Sequence, residues 1–323
     1  TSPCFPPTLK NCSTRLQNET LRRGKPSRRP MVISFSVTVL LLAGIALGLS
    51  LSRPSVPVMH LPQTLPTYSA TWARYVPSNS VLFGFENYTL IRQYNASYPF
   101  YGTLLTLPDV RLDLPSRLID SVLTIVLETP NATVDIAFVS PRTFANFSET
   151  FARYGFAAVQ QGQNTMYYVR DLTKGTLQFG WIALAPSDDA IAFSLGSEVA
   201  KEAIQEVLGV QQGSVSSVID RQDVRGMLYV VNGTSGHLAL GLQNFPGVVR
   251  SGVATFTVVN AVGPQLEVSR VVEFNSTSVA LAQWTLVRSA YLSATKFVVF
   301  DTLVQATEFH PLSKVAEYVR LVE

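Results

Sequence analysis

Site chemistry in this chain would have to begin with three histidines, two cysteines, one serine–lysine spacing and one pair of aspartates. His60, His237 and His310 stand far apart, and none falls in an HExxH or HxH pattern. A metal needs three or four converging ligands, so these residues are expected at the surface or in turns, with His60 in a Pro-rich stretch and His310 just before Pro311. Cys4 and Cys12 lie in the first dozen residues, which leaves the rest without a thiol nucleophile, a CxxC redox pair or a cysteine zinc site. Ser293-Ala294-Thr295-Lys296 fits SxxK, in which a lysine takes the proton from a serine nucleophile, but the companion SDN and KTG elements are missing. Asp188-Asp189 has the makings of a calcium loop or a glycosidase pair; the polar tip of a hairpin after Pro186 accounts for it more simply. Tyr167-Tyr168 would suit a binding surface, although strand alternation puts half of such residues in the core. No GxGxxG, GxxxxGK[ST] or GxSxG occurs, so dinucleotide, P-loop and ordinary hydrolase readings lack their marks. No catalytic, cofactor-binding or metal residue is assigned, and no cofactor is expected.

A different kind of site is abundant. Of the ten asparagines after residue 53, six sit in N-x-S/T: Asn87, Asn95, Asn131, Asn146, Asn232 and Asn275. Ser and Thr fill about one position in six, so chance supplies about two such sites. The excess points to a chain exposed to glycosylation outside the cytoplasm. Asn11 and Asn18 also fit, within a polar N-terminal stretch.

Residues 31–52, MVISFSVTVLLLAGIALGLSLS, carry no charge. Twenty-two residues at helical rise reach about 33 Å, enough to cross the hydrocarbon layer with every backbone group satisfied internally. Arg22, Arg23, Lys25, Arg28 and Arg29 precede this run, and Arg53 alone follows closely. The positive-inside rule then places residues 54–323 outside. A cleaved signal peptide would have a shorter apolar centre, so a retained single-pass anchor is expected. Residues 1–30 are basic, polar and unpatterned, and Met31, which opens the apolar run, would serve as an alternative start. The net charge of +3 divides unevenly: residues 1–53 hold eight Lys/Arg against Glu19, and the remainder holds 17 Lys/Arg against 21 Asp/Glu. A mildly acidic bulk argues against nucleic acid as a partner.

Residues 53–74 are Pro-rich and read as an extended stalk, unless their apolar residues pack on the domain. Beyond them the pattern is α+β. Ser140 as cap, Pro141 in the first turn, Phe144, Phe147 and Phe151 on one face and Gly155 as stop predict a helix over 142–154. A second helix is expected over 198–208, capped by Ser197 and ended by Gly209. Strands are expected at 121–128, 132–139, 166–170, 177–184, 190–195 and 226–232, with Pro186–Asp189 as a hairpin turn. Strand-then-helix stretches at 79–94 and 226–242, strand pairs at 121–139 and 252–274, and helices at 142–154 and 276–289 recur in order. This predicts two tandem units of antiparallel sheet backed by helices, 75–220 and 221–323.

The membrane segment followed by repeated strand–helix units, opening at Tyr75-Val76-Pro77-Ser78-Asn79-Ser80 and containing the strand–cap–helix step Ala190–Gly209, resembles uncharacterised membrane-anchored extracytoplasmic proteins of bacteria and archaea. The resemblance covers the first unit and implies no activity. The expected role is a non-catalytic glycoprotein of the cell surface, a binding or envelope-structural module held by residues 31–52, with a surface protein or glycan as partner. The alternatives are an envelope hydrolase with dispersed catalytic residues and an exported accessory subunit of a membrane complex.

Overall fold

The computed structural model describes residues 55–95, 103–107, 110–171, 178–196, 198–231, 237–245 and 247–319. The expected anchor 31–52, the cap Ser197 and the sequon Asn232 lie outside them. Among the described residues no helix is long and apolar enough to cross a membrane.

The strands follow from β-branched and aromatic runs whose alternate residues face opposite ways. In chain order they are β1 (Val58–Met59), β2 (Ser80–Glu86), β3 (Thr103–Leu107), β4 (Val110–Leu114), β5 (Ile119–Leu127), β6 (Ala132–Val139), β7 (Ala158–Gln161), β8 (Asn164–Asp171), β9 (Gln178–Ala185), β10 (Ala190–Leu195), β11 (Ala239–Gln243), β12 (Ala254–Val262), β13 (Gln265–Glu273), β14 (Lys296–Phe300) and β15 (Leu303–Pro311). Among the described residues six α-helices accompany them: α1 (Tyr88–Tyr94), α2 (Pro141–Tyr154), α3 (Glu198–Gln211), α4 (Gln222–Val230), α5 (Thr277–Ala290) and α6 (Val315–Tyr318). The protein is therefore α+β, with thirteen of the described strands in one sheet and β3–β4 forming a separate hairpin.

The order across the large sheet is β1-β14-β15-β13-β12-β11-β2-β5-β6-β10-β9-β8-β7. All pairs are antiparallel except β1 with β14. The sheet runs without interruption through the β2–β11 pair, where Gly84 lies opposite Gly241. Outward from that seam, β2, β5, β6, β10 and β9 occupy the same places as β11, β12, β13, β15 and β14. A helix follows the third strand on each side, α2 after β6 and α5 after β13.

Both faces of the sheet are covered. On the front face, Phe83, Leu123, Ile125, Ile136, Phe256 and Val258 pack against α3, α4 and the segment Trp72–Val76. On the back face, α1, α2 and α6 cover Ala137, Val139, Ile182 and Val268, and α5 covers Val272, Val304 and Ala306. A strand buried on both faces loses its polar alternation, which is why 132–139 and 190–195 read as nearly continuous apolar runs.

Several expectations are corrected. The strand expected at 226–232 is replaced over 226–230 by helix: α4 occupies Gln222–Val230 and buries Val224, Met227 and Leu228 on one helical face. A short apolar run does not by itself separate strand from buried helix, and here the i, i+3, i+4 spacing decides. The stretch 226–242 thus runs helix then strand, ending in β11. Gly209 does not end the second helix, which continues to Gln211. A Cβ on Gly209 would stand 2.6 Å from Val215 Cγ2, so this glycine permits close approach of the following loop. The segment expected as a stalk lies against the domain from Val56 onward. Val299 N–H donates to Pro57 carbonyl at 2.9 Å, and Leu61, Tyr68 and Ala70 pack into the front cluster. Those apolar side chains stabilise the docked segment through burial, which a solvated stalk would forgo.

Candidate functional site

The sheet brings together residues that are remote in sequence at two places, one on each face. On the back face, between α5 and α6, a strip of sheet is left uncovered and forms a groove of about 660 Å³. Its floor is polar because Thr255 and Thr257 of β12, Arg270 of β13 and Glu308 of β15 all point this way. Glu308 is only 3 % exposed. A buried carboxylate is costly unless paired and hydrogen-bonded, and this one is both. Arg270 Nη1 pairs with Oε1, while Ser293 Oγ and His310 Nε2 each donate to Oε2 at 2.8 Å. The Arg270 guanidinium also lies 5.1 Å from the centre of the Tyr291 ring.

This cluster contains the ingredients of nucleophilic catalysis without its geometry. Ser293, the serine of the SxxK spacing, donates to a carboxylate held by arginine, and its hydrogen bond goes to Glu308 rather than to Lys296. In a serine triad the histidine stands between hydroxyl and acid; here the acid stands between serine and histidine. Tyr318 Oη lies 3.3 Å from His310 Nδ1, but the two rings stack at 4.2 Å and 21°. The imidazole lone pair lies in its ring plane, so a stacked hydroxyl meets it poorly and a tyrosine–histidine relay is badly aligned.

On the front face a cavity of about 670 Å³ lies between the sheet, α4 and the segment 67–72. Trp72, Phe85, Phe138, Leu228 and Leu240 supply most of its apolar wall. Asp188 reaches it from the turn between β9 and β10 and is 7 % exposed at its side chain. Arg74 Nη1 donates to one carboxylate oxygen at 2.8 Å, and Tyr75 Oη donates to the other at 2.7 Å. Burial, reinforced by Asp188, pushes the Tyr75 phenol far above its ordinary value, so it remains a proton donor. Asp189 takes the left-handed conformation at the turn, with φ of 48°, and its carbonyl accepts from Val139 N–H. The two aspartates therefore do not converge as a calcium or glycosidase pair.

His237 lines the same cavity and is 9 % exposed, contrary to its expected surface position. Its Nδ1 lies 2.6 Å from Asn260 Oδ1. With that oxygen as acceptor, Nδ1 carries the proton and Nε2 presents a lone pair. Nε2 has no hydrogen-bond partner among the described residues. Such a buried unpaired atom costs about 1–3 kcal/mol. One signal was visible beforehand: Asn260 occupies the core-facing parity of Phe256 and Val258 on β12, where a polar residue needs a partner.

The remaining expected sites are scattered. His60 is exposed and pairs with Asp301 at 2.7 Å. Tyr167 stacks on Phe151 in the back core, while Tyr168 faces Trp181 at an angle on the front. Among the described residues no group of three or more His, Cys, Asp or Glu could hold a metal ion. Of the sequon asparagines, Asn131 is exposed at the β5–β6 turn, Asn146 on α2 and Asn275 before α5. Asn87 and Asn95 are half-buried at the two ends of α1, where Asn87 Oδ1 caps the helix by accepting from Leu90 N–H.

No protein-family model and no curated protein matches the chain. Among solved structures it is similar to three crystal forms of the protein TP0453. Form I has a TM-score of 0.45 and 12% identity, covering 78% of this chain and 97% of the other. Form III has 0.47 and 11%, covering 79% and 99%. Form IV has 0.42 and 13%, covering 77% and 98%.

Proposed function

We propose that the chain is a single-pass, membrane-anchored extracytoplasmic glycoprotein whose ectodomain is a non-catalytic surface-binding or envelope-structural module. Residues 31–52 serve as the anchor, and two tandem α+β units fuse into one sheet at the β2–β11 seam. The matching strand order on either side of that seam supports the tandem reading. The observation that carries the non-catalytic reading is that the acids gathered at both sites are already satisfied by protein donors: Glu308 by Arg270, Ser293 and His310, and Asp188 by Arg74 and Tyr75. A general base needs a free lone pair within reach of a substrate proton, and the free one at these sites, Nε2 of His237, is itself buried. The exposed positions of Asn131, Asn146 and Asn275 are compatible with glycan attachment.

The test is protease treatment of sealed, right-side-out cells, combined with enzymatic removal of N-glycans. Residues 54–323 are expected to be cleaved without lysis. The intact chain is expected to lose mobility steps one at a time in Asn131→Gln, Asn146→Gln and Asn275→Gln. Cleavage only after lysis, with no glycan shift, would overturn the reading.

A second reading, an exported accessory subunit of a membrane complex, is favoured by one observation. Val248 and Leu292, 72 % and 86 % exposed, rim the back-face groove with apolar surface. Aspartate at both positions would release a partner subunit from the intact protein purified out of native membranes, and would leave the anchored module of the first reading unchanged.

A further inference from the structure

We infer that the apolar rim of the back-face groove, Val248 with Leu292, is a membrane-contact site that holds this face of the ectodomain against an anionic lipid surface. The inference depends on the proposed anchor, residues 31–52, and goes beyond it by naming the face turned to the bilayer.

Three observations carry it. Val248 and Leu292 are the most exposed large apolar side chains among the described residues, at 72 % and 86 %, and both line one groove. Single exposed apolar residues are ordinary on a soluble surface; two such tips on one groove are an apolar edge that water solvates poorly and a lipid surface would cover. Second, exposed cations flank them. Arg250 stands two residues beyond Val248, and Arg288 and Lys296 each stand four residues from Leu292. None of the three has an ion-pair partner among the described residues, whereas the acids on the groove, Glu308 and Glu317, are paired with Arg270 and Lys314. Apolar tips ringed by free Arg and Lys suit a bilayer interface: the tips sink about 5–10 Å into the headgroup and acyl boundary while the cations stay among anionic headgroups. Third, the chain enters the domain beside this rim. Val58 pairs in parallel with Val299, and two residues back along both strands the same register puts Val56 level with Phe297. Both pack in the cluster under α5, to which the turn holding Leu292 adds Tyr291 and Ala294, and in which Val249, next to Val248, is buried. Val56 comes only four residues after Ser52, the end of the apolar run, and an extended chain covers at most about 14 Å over that length. The bilayer that holds residues 31–52 is therefore within reach. The sequon Asn275 lies at the far end of α5 from Leu292, about 20 Å along the helix, so a glycan there leaves the rim free.

The experiment uses the purified full chain, with Cys4 and Cys12 replaced by serine, reconstituted into vesicles of phosphatidylcholine and phosphatidylglycerol in equal parts. A bimane fluorophore is attached at Val248→Cys, at Leu292→Cys or, as a control on the front-face helix α3, at the exposed Val199→Cys. Each is compared in vesicles with and without bromine on the acyl chains, and flotation with the vesicles reports the anchor separately. The chain is expected to float, with the labels at 248 and 292 losing about half of their fluorescence to the brominated chains and the label at 199 losing none. Folding of each variant is checked by circular dichroism, and either rim position decides alone if the other does not fold. A floating chain whose rim labels are unquenched would overturn the inference and leave the anchor standing. So would a blue shift at the rim without quenching, which means burial against a second copy, and so would equal quenching at 199, which means that no face is selected. A chain that does not float would overturn the anchor and the inference with it. The purified chain carries no partner subunit, so the accessory-subunit reading of the same two residues predicts unquenched labels.

Discussion

Glu308 and Glu273 are two acids of the same β-structure with opposite environments. Glu308 is buried, and its carboxylate is ion-paired with Arg270 and accepts hydrogen bonds from Ser293 and His310. Removing Arg270 leaves that charge without its counter-ion, and Arg270→Ala is expected to cost about 2–3 kcal/mol in urea unfolding, somewhat below the loss for a fully buried pair because Ser293 and His310 remain. The double variant Arg270→Met, Glu308→Met, which removes both charges, is expected to recover most of that loss. Glu273, at the end of β13, is pushed up to about 7, first by burial and then by Asp223, with Arg221 opposing. A carboxyl whose folded pKa exceeds its unfolded value holds its proton more tightly when folded. Its contribution to stability is therefore complete below the unfolded value of 4.5 and is lost as the pH rises through about 7. Glu273→Gln should remove this dependence. Between pH 5 and pH 8 the wild type is expected to lose about 1–2 kcal/mol relative to the variant, a figure discounted for the half-exposed side chain. Equal changes with pH in the two proteins would contradict the assignment.

At the scale of elements, the hairpin β14–β15 holds the N-terminal segment. Its two-residue turn puts Asp301 at φ 50°, where Oδ2 accepts from Leu61 N–H at 2.8 Å and Oδ1 contacts His60. Those two hydrogen bonds hold the Asp301 carboxyl below the usual range. Asp301→Ala is expected to speed hydrogen exchange at Met59–Leu61 while leaving exchange in β12 and β13 unchanged, since the docked segment opens locally. Uniform acceleration would mean that the segment is part of the cooperative core. This hairpin and α4 also mark what local sequence does not tell. The helix α2 was legible residue by residue, because Ser140, Pro141, the three phenylalanines and Gly155 act within one element and the structure reproduces each. The pairs β5–β6 and β12–β13 were legible from alternation and length. The segment 226–232 was not, because the same apolar residues satisfy either period until neighbouring elements choose. The sites were least legible of all: His237 needs Asn260, 23 residues away, and Glu308 needs Arg270, 38 away. Such partners are joined only by strand register, which a motif search does not carry.

Over the whole molecule, residues from Val56 onward form one compact unit even though the strand order divides at the seam. The seam is not a thin boundary. Phe83 on β2 lies 6.5 Å from Phe256 on β12 and stacks on Trp72 at 5.2 Å, so the front core passes across it. Continuous backbone hydrogen bonding from β5 through β2 and β11 to β12 links the halves further. If each half had its own core, the halves would melt separately, as neighbouring domains do. A shared core predicts one transition. Trp181 reports on the first half and Trp284 on the second, and both are buried. Single-tryptophan variants, Trp72→Phe with Trp284→Phe and Trp72→Phe with Trp181→Phe, allow each half to be followed alone. In both, the fluorescence transition is expected to coincide with that variant's own circular dichroism. Phe83→Ala, which empties the seam, is expected to cost about 3–4 kcal/mol of stability and to lower both midpoints together. Were the tryptophan of one half to unfold ahead of the other, the β2–β11 pair would be a contact between two independently stable domains, and the coupling argued from the sheet would fail.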